Sequence, residues 1–393
     1  MKNHALLCIF LTLAVCYGKP SQVQELKKLP IDTSSFKTLI EYDYLYVDKT
    51  KSIHSLIQAE QNYFFVRPRR FGRTLFLSTL KEIFSGHKEL FKDCWIGGNS
   101  SKYDWPVHPV ISLNFLMIND QSPDELEASL IRNIQDFAEE YDIYLDKNLS
   151  LEHATTGLIK KLSSQDKVVL LIDEYDRPLS KHQLNKENAG KIEQVLKKFY
   201  TIIGSLNDHF RAIIITGVVP YSASMLFSSI PNLKNISFSP EAKDLCGFTE
   251  KEINTTLLPY VKQCAQHLKK STSEVLQEMQ ELYGGHRFTQ IGPVLHSPIP
   301  TLYHLRRMEK DSHLWLETST STFLFQCIKT HTSAFSNQES WYVSRIYGEN
   351  CEVGELTPTA AFWYSGFLTL DKNQPNNEQY NLISPNQSTN IGL

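Results

Sequence analysis

The chain has 393 residues, 41% hydrophobic and 21% charged, an ordinary globular composition that excludes a disordered or fibrous protein. Its length allows a large core and about two domains, at roughly 150 residues per domain. Against 43 Asp and Glu stand 40 Lys and Arg, a net charge of -3, so no global basic field draws the chain to nucleic acid or anionic membrane, and any such contact must be local.

At the N-terminus, Lys2 precedes an apolar run over residues 5–15 interrupted by one Thr, and Cys16, Tyr17 and Gly18 supply small residues for cleavage after Gly18. Residues 1–18 therefore predict a signal peptide and export. The run is shorter than the about 20 residues a bilayer span needs, and no later segment looks transmembrane. The alternative is a cytoplasmic protein whose N-terminal helix or strand packs on the core. Of seven cysteines, at 8, 16, 94, 246, 264, 327 and 351, five would remain after cleavage, with no C-x-x-C pair. That spacing argues for mostly buried thiols over a zinc site or dense disulfide framework. Sequons stand at Asn99, Asn148, Asn235, Asn254 and Asn386.

Residues 19–35 are polar, carry Pro20 and Pro30, and read as a lead-in. An aromatic stretch with Tyr44 and Tyr46 leads to Asp48, Lys49 and Thr50, and Asp48 or Thr50 is expected to cap a helix over 51–59. Residues 62–66 form a short apolar strand, followed by RPRRFGRT and a helix over 74–84 with Leu75, Leu77, Leu80 and Phe84 near helical spacing. Strand, tight loop and helix N-terminus make an anion site, because first-turn N–H groups and the helix dipole both favour phosphate. Arg67 to Thr74 has the eight-residue spacing of G-x-x-x-x-G-K-[ST], with Arg67 at the first glycine position and Arg73 at the lysine position. Taken alone, the stretch also reads as a basic surface connection between strand and helix.

Residues 109–116 predict a buried strand and 123–141 a long amphipathic helix. Next comes KVVLLIDEYDRP over 167–178, a strand apolar on both faces that ends in Asp173 and Glu174, at the strand end where open α/β sheets place ligands. An acidic pair there is also a common helix cap. A helix over 187–206 and a strand over 210–218, closing on Thr216 and Gly217, complete a strand-helix alternation that predicts a parallel α/β sheet with right-handed crossovers. Thr216 is positioned to sense a γ-phosphate, or simply ends its strand. Beyond Ser239 the chain turns helical, over 240–270 and 273–282, before YGGHRF at 283–288 breaks it. Residues 315–330 and 360–370 read as core helix and strand.

YVDKT (46–50), RPRRFGRT (67–74), LIDEYDRPL (171–179), ITGV (215–218), LCGFTEKEI (245–253), YGGHRF (283–288), ETSTSTFL (317–324) and SGFLTL (365–370) occur in that order. With them the chain resembles the AAA-ATPase-like family of P-loop proteins over nearly its whole mature length. The resemblance implies a P-loop domain over 36–240, a helical lid and C-terminal region over 241–393, and ATP and Mg²⁺ as ligands. It implies a phosphate cradle from Arg67, Arg69, Arg70, Phe71, Gly72 and Arg73, metal binding by Thr74 and Asp173, water activation by Glu174, and a sensor at Thr216. His286 or Arg287 would reach the nucleotide from the lid, although turn chemistry alone also explains the two glycines beside them. The family uses arginine at the Arg67 position, but Arg73 departs from its lysine. A planar guanidinium fits a concavity built for a compact ammonium poorly, so weakened hydrolysis, or binding without turnover, is expected.

Many relatives continue past a pair like Pro385-Asn386 into a restriction-endonuclease-like nuclease domain, and this sequence is expected to lack it. Two further readings stand beside a weak ATPase: a nucleotide-gated scaffold for an unknown protein partner, and a local nucleic-acid binder using Arg67, Arg69 and Arg70.

Overall fold

A computed structural model describes residues 25–98, 103–311, 324, 341–345, 349–374 and 378–390. The expected signal peptide, Cys8, Cys16 and Cys327, the Asn99 sequon and all but Leu324 of ETSTSTFL lie outside the described residues.

Five strands form one parallel sheet: β1 (Asn62–Val66), β2 (Val110–Asn114), β3 (Val168–Asp173), β4 (Phe210–Gly217) and β5 (Leu233–Asn235), in the order β2-β3-β4-β1-β5. All six residues of β3 are buried, as the unbroken VVLLID run requires, because a central parallel strand is covered on both faces. Helices α1 (Phe36–Glu41), α2 (Thr50–Gln58), α3 (Arg73–Phe84), α4 (Pro123–Glu140), α5 (Leu151–Leu162), α6 (Arg177–His182) and α7 (Lys186–Ser205) flank the sheet. The chain leaves β1 through α3, crosses to the far edge at β2, and returns strand by strand to β4 beside β1. The direction of winding thus reverses at β1, and the loop after β1 opens into a crevice at the carboxyl ends of the strands.

Local chemistry sets the helix starts. Ser122 accepts from Glu125 N at 3.2 Å to begin α4, with Pro123 and two acidic residues in the first turn. Ser150 begins α5 in the same way through His153 N. Lys49, not Asp48 or Thr50, occupies the cap of α2, while Asp48 accepts from Thr50 N at 2.8 Å.

Past β5, the short α8 (Ala223–Leu226) already lying behind, the chain forms β6 (Phe248–Thr249), α9 (Glu250–Thr255), α10 (Leu258–Leu268), α11 (Thr272–Tyr283), β7 (Leu295–His296) and α12 (Pro298–Arg307). Thr249 and Glu252 close a capping box at α9, and Ser271 and Glu274 another at α11. These helices enclose a second apolar core, with Leu257, Val261, Val275, Met279 and Leu302 at its centre. Ile31 and Val47 belong to it as well, so the lead-in is sealed into the fold: Leu45 N donates to Lys28 O, and Tyr260 Oη to Lys27 O.

The region after α12 is more than helix. Strands β8 (Trp341–Ser344), β9 (Thr369–Leu370) and β10 (Gln379–Ile383) form an antiparallel sheet in the order β8-β10-β9, beside α13 (Pro358–Tyr364). Trp363 stacks on Phe238 at 4.8 Å, and Phe362, Leu368 and Tyr380 join the core of the large sheet. The C-terminal region therefore returns to the first core and does not extend the second. Among the described residues, no helix is long and apolar enough to cross a membrane. The four described cysteines, Cys94, Cys246, Cys264 and Cys351, are buried.

Candidate functional site

Gly72 ends the loop after β1 with φ +100°, where an L side chain is strained, and a Cβ built there meets nothing within 4 Å. The glycine therefore serves the backbone, turning the chain into α3 so that the first-turn N–H groups face an open crevice. Arg70 on the same loop also has positive φ, 64°. Strain of this kind persists only where the surroundings over-determine it, and it concentrates at functional loops.

Behind the loop, the ends of three elements meet. Thr74 Oγ1 donates to Asp173 Oδ2 at 2.7 Å, and Thr216 Oγ1 to Asp173 Oδ1 at 2.8 Å. Arg73 is only 4% exposed and its Nη2 is paired with Glu174 Oε1, while its Nη1 is buried without a hydrogen-bond partner. Glu174 holds φ +55°, a left-handed conformation unusual for its type. Asp176, which no expectation singled out, is buried two residues on and accepts from Val218 N and Val219 N.

Burial works against the Arg73 charge, but Glu174, Asp173 and Asp176 together outweigh it and hold the guanidinium above its ordinary pKa. Burial pushes the Glu174 carboxyl up; Arg73 opposes that rise, and Asp176 and Asp173 reinforce it. Asp176 is pushed up by burial too, against Arg73 and the two N–H groups it accepts from. The Arg73 guanidinium thus serves two carboxyls, Glu174 and Asp176, that burial makes reluctant to ionise.

A cavity of about 690 Å³ opens in front of this cluster, between the two cores. Arg69, Arg70, Phe71, Gly72, Arg73, Thr74 and Glu174 line one side, and lead-in residues 30–34, Cys246, Phe248 and the start of α12 line the other. Burial pushes the Cys246 thiol up to about 11, so it presents a neutral group. Lys49 also lines the cavity, with Nζ 2.7 Å from both carboxylate oxygens of Glu252, an ion pair that ties the start of α2 to α9. Lys49 and Cys246 stood inside the matched stretches YVDKT and LCGFTEKEI. That placement was the one signal that could have drawn attention to them, since neither forms a chemical pattern with its sequence neighbours.

Not every expected residue reaches the cavity. Arg67, 1% exposed, points away from it: Nη1 donates to Val66 O at 2.9 Å and Ser237 O at 2.5 Å, Nη2 donates to Ala242 O at 2.8 Å, and the guanidinium lies 4.4 Å over the Phe288 ring. The phosphate contact expected of Arg67 is therefore corrected to an anchoring role: burial in a shell of carbonyls commits all its bonded donors elsewhere. That burial also removes one of the three arginines on which a nucleic-acid surface was expected. Phe71 contacts the cavity, but its ring packs edge-on against His286 and Phe288, and its carbonyl accepts from Gly247 N at 3.1 Å. His286 is fully buried behind that ring, and Arg287 Nη1 donates to Gly292 O at 3.3 Å, so neither lines the cavity. The second glycine of YGGHRF answers to packing: Gly285 has φ +87°, and a Cβ there would lie 1.8 Å from Pro385 O.

Residues 30–227 match a family model described as a predicted AAA-ATPase, AAA-ATPase-like. The chain is also 29% identical over 380 residues, 93% of its own length and 69% of the other's, to an uncharacterized protein encoded in the vnfD 5' region of Azotobacter chroococcum mcd 1. A family match over half of the chain agrees with the parallel sheet, the loop after β1 and the acidic end of β3, and the chain belongs to the AAA-ATPase-like family.

Proposed function

We propose that the chain binds ATP with Mg²⁺ in the cavity between sheet and lid, and that Arg73 restrains its hydrolysis. The observation that carries this reading is the buried pair between Arg73 and Glu174. Glu174 is the group that would polarise an attacking water, and a carboxylate neutralised by a guanidinium is a poor base. Arg73 must choose between two anions. If it turns to a phosphate, Glu174 is left buried among Asp173 and Asp176, and its upward pKa direction favours the protonated form, which accepts no proton. Either choice slows the chemistry, whereas a lysine is compact enough to serve the phosphate from a different position.

The donor set fits the ligands. A cavity of about 690 Å³ lies within the range of cofactor sites. Arg69, Arg70 and the buried, unpartnered Nη1 of Arg73 offer cationic donors beside the Gly72 turn. Thr74 and Asp173 would hold Mg²⁺, which takes one or two protein oxygens and completes its shell with water and phosphate. When bound, the ion neutralises charge on the phosphate oxygens. Thr216 holds Asp173 from the other side and would fix its orientation.

One observation favours a second reading, a nucleotide-gated scaffold: Phe71 and Lys49 tie the phosphate loop and its neighbourhood to the lid, so ligand binding would bias lid position. Turnover separates the two. Saturating MgATP is expected to raise the Tm of the protein, with wild-type turnover near background and Arg73→Lys at least about tenfold faster, the equivalent of ~1.4 kcal/mol of barrier. Wild-type hydrolysis at ordinary rates with no gain from Arg73→Lys would overturn the restraint. Binding without turnover in both proteins would favour the scaffold, and no Tm shift would remove both readings.

A further inference from the structure

Four of the five sequons lie among the described residues, and the fold treats them differently. Asn386 is 9% exposed; its Nδ2 donates to Gly284 O at 2.7 Å and its Oδ1 accepts from Thr389 N at 3.2 Å, while Ser388, the hydroxyl residue of that sequon, is fully buried. A branched sugar on that nitrogen would have to occupy protein interior. Asn235 Oδ1 accepts from both Ser237 N and Ser237 Oγ, and Ser237, fully buried, accepts in turn from Val66 N on β1. That sequon is folded into the sheet beside the phosphate loop. Asn254 is exposed but sits within α9, next to the buried Ile253.

Asn148 differs from all three. It lies on the turn between α4 and α5, with Asp146, Lys147 and Ser150 exposed around it. The turn is secured from beneath through its backbone: Gln135 Nε2 donates to Lys147 O at 3.2 Å, Lys161 Nζ donates to Tyr144 O at 2.7 Å, and Leu145 and Leu149 pack on the core. Asn148 is exposed, its backbone N–H donates to Asp146 Oδ1, and its side-chain amide makes no hydrogen bond among the described residues.

We propose that Asn148 is an N-glycan acceptor site. The inference rests on the export reading of residues 1–18, which would deliver the chain to a compartment holding lipid-pyrophosphate-linked oligosaccharide and its transferase. In the transfer, Asn148 Nδ2 forms a bond to the anomeric carbon of the sugar as the bond from that carbon to the pyrophosphate oxygen breaks. The lipid pyrophosphate leaves with the electron pair, and the amide proton passes to a base of the transferase. Ser150 supplies the sequon hydroxyl, and in the folded protein it caps α5 by accepting from His153 N at 3.3 Å, so the glycan would stand at a helix start without disturbing it.

The test is cell-free translation of the full chain with microsomes, read by signal cleavage, protease protection and a glycosidase-sensitive mobility shift, with peptide mass spectrometry of the acceptor sites. Cleaved, protected protein is expected to carry a glycan at Asn148, and Asn148→Gln and Ser150→Ala are each expected to lose one glycan unit while remaining protected. Protected protein with Asn148 bare, or a shift unchanged in Asn148→Gln, overturns the acceptor assignment alone. Protein left uncleaved and protease-accessible overturns the export reading and the acceptor site with it.

Discussion

Arg67 and Arg73 bracket the turn between β1 and α3, both almost fully buried, and the fold uses them in opposite ways. Arg67 is held by three carbonyls and an aromatic ring, with no carboxylate among the described residues bonded to it. Burial lowers its pKa to about 10, still charged at neutral pH. Arg73 faces the sheet and is held by carboxyls that raise its pKa. Charge therefore does not define the role of either arginine; the type of acceptor does. Carbonyls fix a guanidinium in place, whereas carboxylates leave it competing with any other anion that enters.

Truncating each arginine should separate the two roles most widely. In Arg67→Ala, buried carbonyls of Ser237 and Ala242 lose a donor and a cavity opens in the interior, for an expected loss of roughly 3–5 kcal/mol. Arg73→Ala opens onto the existing cavity, where water enters, and Glu174 relieves its lost partner by taking a proton, so about 1–2 kcal/mol is expected. Urea unfolding of both proteins measures the contrast, and equal losses would erase it.

Acid should strike the lid side of the loop next. His286, packed on Phe71, is lowered by burial to about 3, and His296, on β7, to about 4, whereas the unfolded histidines titrate near 6.5. Below 6.5 the unfolded chain binds protons that the folded chain refuses, so stability falls as pH falls from 6.5 towards 4. At pH 5 each histidine is expected to cost about 2 kcal/mol. Comparing wild type with His296→Gln by urea unfolding at pH 7.5 and pH 5 checks this, the variant being expected to lose less between the two.

A comparably small effect on stability belongs to the turn between the arginines. Gly72→Ala meets no atom within 4 Å but must hold φ +100°, so the expected cost is only ~1–2 kcal/mol. MgATP protection should nonetheless weaken sharply, because the strained residue sits in the cradle itself. Thermal shifts with and without nucleotide separate the two effects, and unchanged protection would show that the cradle tolerates a side chain.

Much of this was legible in the chain itself. The apolar runs of β3 and β4 specify buried parallel strands, Ser122-Pro123 specifies the start of α4, and Thr74, Asp173 and Thr216 are expected at the strand ends and the helix start, where their side chains do meet. These signals are local: periodicity, caps and turn residues act within a few residues of one another. The antiparallel sheet around β10, the sealing of the lead-in against the lid and the inclusion of Lys49 in the cavity carried no such signal, because short strands and single ion pairs are settled by partners far along the chain.

The two arginines mark the same division most clearly. Sequence determined that the loop is basic, that it turns at Gly72 and that it opens a helix. Tertiary structure alone decided which guanidinium is anchor and which is latch, since Arg67 bonds Ala242 across 175 residues and Arg73 meets Glu174 across 101. A long side chain with several rotatable bonds has no conformation of its own; its acceptors choose one, and folding brings those acceptors to it.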